Sequence, residues 1–329
     1  NTRSVSYLVK PATAVRVRFA VNEPTPWAPE VPAGENPPPG AVIDYHLGAD
    51  AGNVKLEIAD ADGKVIRTYS SSDTVPSPDP ALNPEAYNRV CQRQPSAPRC
   101  SVPLYWAAPN VALSSKAGMH RFIWDMHYDP IEGTAPAESA TGAVPHRTYY
   151  AASTPWAPPG AYTVRLTAGG RTYTQPLTLV LDPRVKTSAS VISEIGTLSR
   201  EMYDGAVALR AEYQAARAMS ARLTNAGDAK LKAAIDSIAP PAASAARPVQ
   251  GFRPPAAGPP NLESARSAMM SAAMSMQDAD VAPTERELDA VAKARAQFHD
   301  VMQRWKTLRA TERRSSRAAP ASGISAVLF

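Results

Sequence analysis

The sequence predicts an α+β chain of two domains: an antiparallel β-sandwich of immunoglobulin or fibronectin type over residues 1–186, then an antiparallel helical bundle over 187–312. Three observations carry this. Residues 160–181 alternate apolar and polar side chains with a period of two around Gly169-Gly170. Just past Asp182-Pro183 the apolar spacing changes to steps of three and four. The 33 prolines of the 329 residues gather at 24–39, 76–108, 155–159 and 240–260, so regular elements must lie between those clusters.

In the first domain, Val15, Val17 and Phe19 alternate with Arg16 and Arg18 and read as an amphipathic, half-exposed strand. Residues 41–47 form a second strand, and residues 53–69 a third and fourth around the Asp62-Gly63 turn. Residues 70–117 show little periodicity and read as a long irregular excursion. Residues 118–128 return to strand, with Phe122, Trp124 and Met126 on one row. Tyr162, Val164, Leu166 and Ala168, then Tyr173, Leu177, Leu179 and Leu181, supply the two apolar rows of the hairpin at 160–181. About seven strands with such turns fit the sandwich.

In the second domain, Val191, Ile195, Leu198, Met202, Ala206, Leu209, Tyr213 and Ala216 mark one stripe of a helix reaching residue 223. A short helix carries Leu231, Ile235 and Ile238, and the Pro/Ala-rich stretch 240–260 is a linker. Asn261 caps a helix carrying Ala265, Met269, Ala272 and Met276. Thr284 and Glu287 form a capping box before a last helix with Leu288, Val291, Phe298, Met302 and Trp305. Residues 313–329 read as a flexible tail.

Composition narrows the functions. A net charge of +5 without a basic stripe or basic-aromatic motif argues against nucleic acid as a partner. No apolar run is long enough to span a bilayer. Cys91 and Cys100 lie nine apart with no further ligands for zinc nearby, and read as a local disulfide. A disulfide implies a secreted or periplasmic location. A start at Asn1 leads us to expect a processed or excised piece.

Three runs together, GNVKLEIADADGKVIRTYSS at 52–71, AGMHRFIWDMHYD at 117–129 and PPGAYTVRLTAGGRTYTQPLTLVLDPRV at 158–185, carry a resemblance. With the helix that follows, they resemble the C-terminal region of secreted bacterial proteins bearing sortilin-type or BNR-type β-propeller repeats, many of them labelled glycosyl hydrolase. The resemblance covers most of residues 1–225. It implies a propeller preceding this region and holding any catalytic carboxylates. No blade-like repeat of about forty residues occurs in this chain. The expectation is therefore a non-catalytic structural or interaction module, whose partner is an upstream propeller, another protein or a second copy.

Two alternatives rest on side chains. Thr25-Pro26-Trp27-Ala28-Pro29 recurs as Thr154-Pro155-Trp156-Ala157-Pro158. With Trp106, Tyr149 and Tyr150, these loop rings are candidates for stacking on a glycan in an accessory module. Asp44, Asp125, Asp129 and Glu132 are candidate carboxylates for a glycoside hydrolase, which needs two facing one sugar. Each also fits an exposed strand or turn, and no residue is assigned as catalytic.

His120, Asp125, His127 and Asp129 form the densest ligand-type cluster. Strand alternation puts Asp125, His127 and Asp129 on one face and His120 on the other, with His46 or Asp44 as further weak candidate ligands. Polar residues on the outer face of the sandwich are the preferred reading of the cluster, so no metal and no cofactor is expected.

Overall fold

The computed structural model describes residues 5–18, 40–74, 83–93, 100, 112–131, 140–141, 149–150, 153–223, 229–241 and 258–318. Its strands are β1 (Tyr7–Leu8), β2 (Ala14–Arg16), β3 (Ala41–Leu47), β4 (Val54–Ala59), β5 (Val65–Ser70), β6 (Gly118–Trp124), β7 (Ala140–Thr141), β8 (Tyr149–Tyr150), β9 (Gly160–Ala168) and β10 (Arg171–Leu181). Its helices are α1 (Pro84–Arg93), α2 (Ala189–Arg222), α3 (Ala229–Ile238), α4 (Leu262–Ser275) and α5 (Glu285–Ala318). They fall into two compact units. One comprises residues 1–196 with 277–282, the other 197–276 with 283–329.

The β-rich unit holds a three-stranded antiparallel sheet in the order β1-β3-β6 and a five-stranded sheet in the order β2-β10-β9-β4-β5. A separate ladder pairs β7 with β8. Residues Ala41, Ile43, Tyr45 and Leu47 of β3, and Val54, Leu56 and Ile58 of β4, are all buried on alternate positions, as their period of two requires. Gly169 and Gly170 both take positive φ, 56° and 75°, which closes the β9–β10 hairpin as its sequence demands.

The expected immunoglobulin- or fibronectin-like sandwich does not form. One of the two sheets is a curled half-barrel, and β2, an edge strand of the five-stranded sheet, runs parallel to β10. Alternation fixes which residues of a strand share a face, but it leaves open which strand lies beside which. The expected antiparallel helical bundle is corrected as well. Helix α2 begins inside the β-rich unit. In the helical unit α3 and α4 pack chiefly on α5. The excursion after residue 70 also contains α1, whose Tyr87 is buried.

Strand β2 buries an arginine rather than its valine. Val15 is 41% exposed while Ala14 and Arg16 are buried, because Val15 pairs in register with the exposed Val180 of β10. The inward arginine needs a counter-charge, and finding it leads to the site.

The helical unit follows its local signals closely. Asn261 caps α4 by accepting from the backbone amides of Glu263 and Ser264, while Ser264 accepts from the Asn261 amide. Glu287 accepts from the Thr284 amide at 2.7 Å, and Thr284 Oγ1 accepts from the Glu287 amide at 3.3 Å. Gly205 of α2 lies so close to Met269 of α4 that a Cβ there would sit 2.4 Å from the sulfur. The two helices meet at that point because position 205 carries no side chain.

Candidate functional site

The sequence-predicted ligand residues divide at the end of β6. The strand stops at Trp124, and Met126 adopts φ 60°, a left-handed conformation rare outside glycine. Alternation therefore breaks there. His127 turns inward and is buried, while the side chains of Asp125 and Asp129 stay 49% and 40% exposed. The expectation that all three share one face is thus not met.

His127 serves as an internal strut. Its Nδ1 lies 2.6 Å from the Thr154 carbonyl, an oxygen that can only accept, so Nδ1 carries the proton. Burial pushes the imidazole pKa below its ordinary value and keeps the ring neutral. Trp124 Nε1 donates to the His127 carbonyl at 3.0 Å, and Thr154 Oγ1 donates to the Tyr128 carbonyl at 2.8 Å. Together these bonds hold the turn after β6 against the loop entering β9.

Asp125 and Asp129 flank Arg67 of β5, at 3.7 and 3.9 Å. Arg67 donates to the Tyr128 carbonyl and lies over the Tyr69 ring, 4.6 Å from its centroid. Asp129 also accepts from the Thr68 amide. Burial raises the Asp129 pKa above the ordinary aspartate value, and it pushes the Tyr69 phenol well up. The remaining candidates lie on the three-stranded sheet. His46 bonds the Val5 carbonyl through Nδ1 and stacks on Tyr7, His120 bonds the Lys116 carbonyl, and Asp44 forms a two-point ion pair with Arg121. Among the described residues no three His, Cys, Asp or Glu side chains converge as a metal would require.

Of the candidate aromatic residues, Trp156 alone can be described by its side chain. Its ring stacks on His127 with centroids 4.1 Å apart, and the guanidiniums of Arg16 and Arg18 each lie 5.8 Å from the ring centroid. Tyr149 and Tyr150 form β8 and pair with Thr141 and Ala140. Trp27, Trp106 and Glu132 lie outside the described residues.

The arginines beside Trp156 meet a carboxylate that sequence reading did not single out. Asp280 receives Arg16 at 2.5 Å, and Arg18 from two nitrogens at 2.9 Å each. Arg16 also donates to the Ala157 carbonyl, and Arg18 to the Gln277 carbonyl. Gln277 accepts the Trp156 amide at 3.0 Å, and Thr187 Oγ1 donates to the Asp280 carbonyl. The side chains of Arg16 and Asp280 are only 6% and 5% exposed. Burial acts to raise the Asp280 pKa, but the two guanidiniums outweigh it and leave the carboxyl below its ordinary range. Burial lowers the Arg16 pKa, with Asp280 opposing. No local motif joins residue 16 to residue 280. The one sequence signal was an arginine pair on a strand that a sheet edge would bury.

A second polar cluster ties α2 to α3. Asp236 accepts from Ser220 Oγ and Arg217 at 2.6 Å and from Lys232 at 2.9 Å, and these bonds, Ser220 foremost, lower its pKa to about 2. Lys232 also donates to Ser220 at 2.8 Å. A serine beside a lysine resembles a nucleophile with its base. Here, however, the hydroxyl proton points to the carboxylate and the lysine is engaged by the same carboxylate, so the cluster is a helix clamp.

Cys91 of α1 is bonded to Cys100, as their spacing predicts. Among the described residues no helix is long and apolar enough to cross a membrane. The disulfide is compatible with an extracellular or periplasmic location. Comparisons with family models, curated proteins and solved structures return no match.

Proposed function

We propose that this chain is a non-catalytic structural and interaction module of a secreted bacterial protein, the role its resemblance to propeller-associated C-terminal regions implies. One observation carries the reading. The described side chains with the chemistry for a ligand are engaged in holding the β-rich unit together. The Trp156 ring is covered by His127 and two guanidiniums, His127 is a neutral strut, and Asp125 and Asp129 share Arg67. A sugar platform needs an open ring face, and a glycosidase needs two carboxyl groups opposed across a cleft.

A glycan array read by tryptophan fluorescence, run beside an assay for released reducing ends, tests this. The module reading expects neither binding nor turnover. Quenching by one glycan class that is lost in Trp27→Ala or Trp106→Ala replaces it with the glycan-binding accessory reading. Turnover lost in Asp125→Asn or Asp129→Asn replaces it with the hydrolase reading.

A further inference from the structure

Residues Gln277–Ala282 are an island of the β-rich unit, bounded at both ends by residues of the helical unit. The chain leaves α4, lays six residues onto the β-rich unit, and departs into α5. That short segment is held by its polar groups. Asp280 takes both guanidiniums, the Gln277 side chain accepts the Trp156 amide, and its carbonyl accepts Arg18. Val281, by contrast, is 59% exposed. The receiving surface has a definite chemistry: two arginines and a tryptophan from β2, the residues just after it and the loop before β9, all selecting one carboxylate. Among the described residues Arg16 Nε is buried without an acceptor, so the socket holds more donor capacity than its occupant uses.

We propose that Arg16, Arg18 and Trp156 form a socket for an acidic loop, filled within one chain by Asp280 and filled between chains by the 277–282 segment of a second copy. The occupant follows from charge and connectivity. The socket recognises a peptide carboxylate flanked by a backbone carbonyl and a side-chain amide, and a second copy presents that same set. The segment is carried by helices assigned to the other unit, so its seat does not require that those helices belong to the same chain. Within one chain the segment has an effective concentration of order millimolar, so the closed form prevails until the internal plug is weakened or the protein is concentrated. This names one partner for the interaction module proposed above and rests on that reading.

The test is complementation between two full-length variants. Asp280→Ala keeps the socket and loses the plug, whereas the double variant Arg16→Ala, Arg18→Ala keeps the plug and loses the socket. Each alone is expected to sediment as a monomer in analytical ultracentrifugation at micromolar concentration, and their equimolar mixture is expected to approach twice the monomer mass. A mixture that stays at monomer mass overturns the proposal. If either variant fails to fold by circular dichroism, a peptide of residues 276–284 is titrated onto full-length Asp280→Asn. A tryptophan signal at least tenfold stronger than with wild-type protein supports the exchange, and an equal or absent signal overturns it. A monomeric mixture removes only the exchange, whereas glycan binding or turnover removes the module reading, so the two failures are distinct.

Discussion

The carboxylate of Asp280 meets the guanidinium of Arg16 at 2.5 Å across 264 positions of sequence, and both side chains are buried. Removing one partner of such a pair leaves the other charge out of water without compensation. Asp280→Ala is expected to cost about 3–5 kcal/mol of stability by urea unfolding, far more than breaking a solvent-screened pair such as Lys116 with Asp50.

The same pair sets an acid limit. The Asp280 pKa is lowered on folding, so its contribution is full above the unfolded aspartate value and is lost as pH falls through the lower folded value. The Asp129 pKa is raised, so its ionised form opposes folding and protonation relieves that penalty as pH falls. Carboxyl-resolved NMR titration should find Asp129 protonating at higher pH than Asp280. The reverse order would show that burial, not pairing, controls Asp280.

Gly205 is expected to tolerate a methyl group but not a branched side chain. A Cβ would press into Met269 at 2.4 Å, so Gly205→Ala forces the thioether to move and Gly205→Val forces α2 and α4 apart. For valine, overpacking of this kind costs about 1–3 kcal/mol. Thermal unfolding should place alanine close to wild type, its higher helix propensity offsetting the displaced thioether, and valine below both.

Reducing the Cys91–Cys100 bond frees a nine-residue separation. On the loop-entropy account this removes about 2–3 kcal/mol at most. Intact mass should rise by about two hydrogens on reduction, and the urea midpoint should fall with little change in slope.

Trp156→Ala is expected to act on stability. It strips the stacking partner of His127 and the surface on which Arg16 and Arg18 lie. A loss of about 0.5–3 kcal/mol is the scale for truncating a half-buried ring of this kind. Equal stability of variant and wild type would indicate that the ring is free to serve a ligand.

What was legible in the sequence was local. The Gly169-Gly170 turn, the Asn261 and Thr284 caps, the alternation of β3 and β4 and the Cys91–Cys100 spacing each need only a few neighbouring residues, and each took the form read from them. Strand order was not legible, because nothing in β2 announces that it will lie parallel to β10. Nor was the inward turn of Arg16. An arginine goes inside only when a counter-charge arrives, and its counter-charge is encoded beyond α4. His127 was visible as a ligand-type residue, but its role depended on the backbone reversal at Met126, a residue type with no turn signature.

The placement of Asp280 also bears on how the protein is made. Arg16 and Arg18 leave the ribosome with the first strands, whereas their carboxylate follows 264 residues after Arg16. At about 5–20 residues per second that is roughly 13–50 s, and for the last roughly 5–20 s of it, from the end of β10 at Leu181 to Asp280, the strands of the β-rich unit are made but lack the charge that lets β2 seat. The seating of β2 therefore waits for residue 280 to be made, and a nascent chain stalled before residue 280 presents two unpaired cations where the folded unit buries an ion pair.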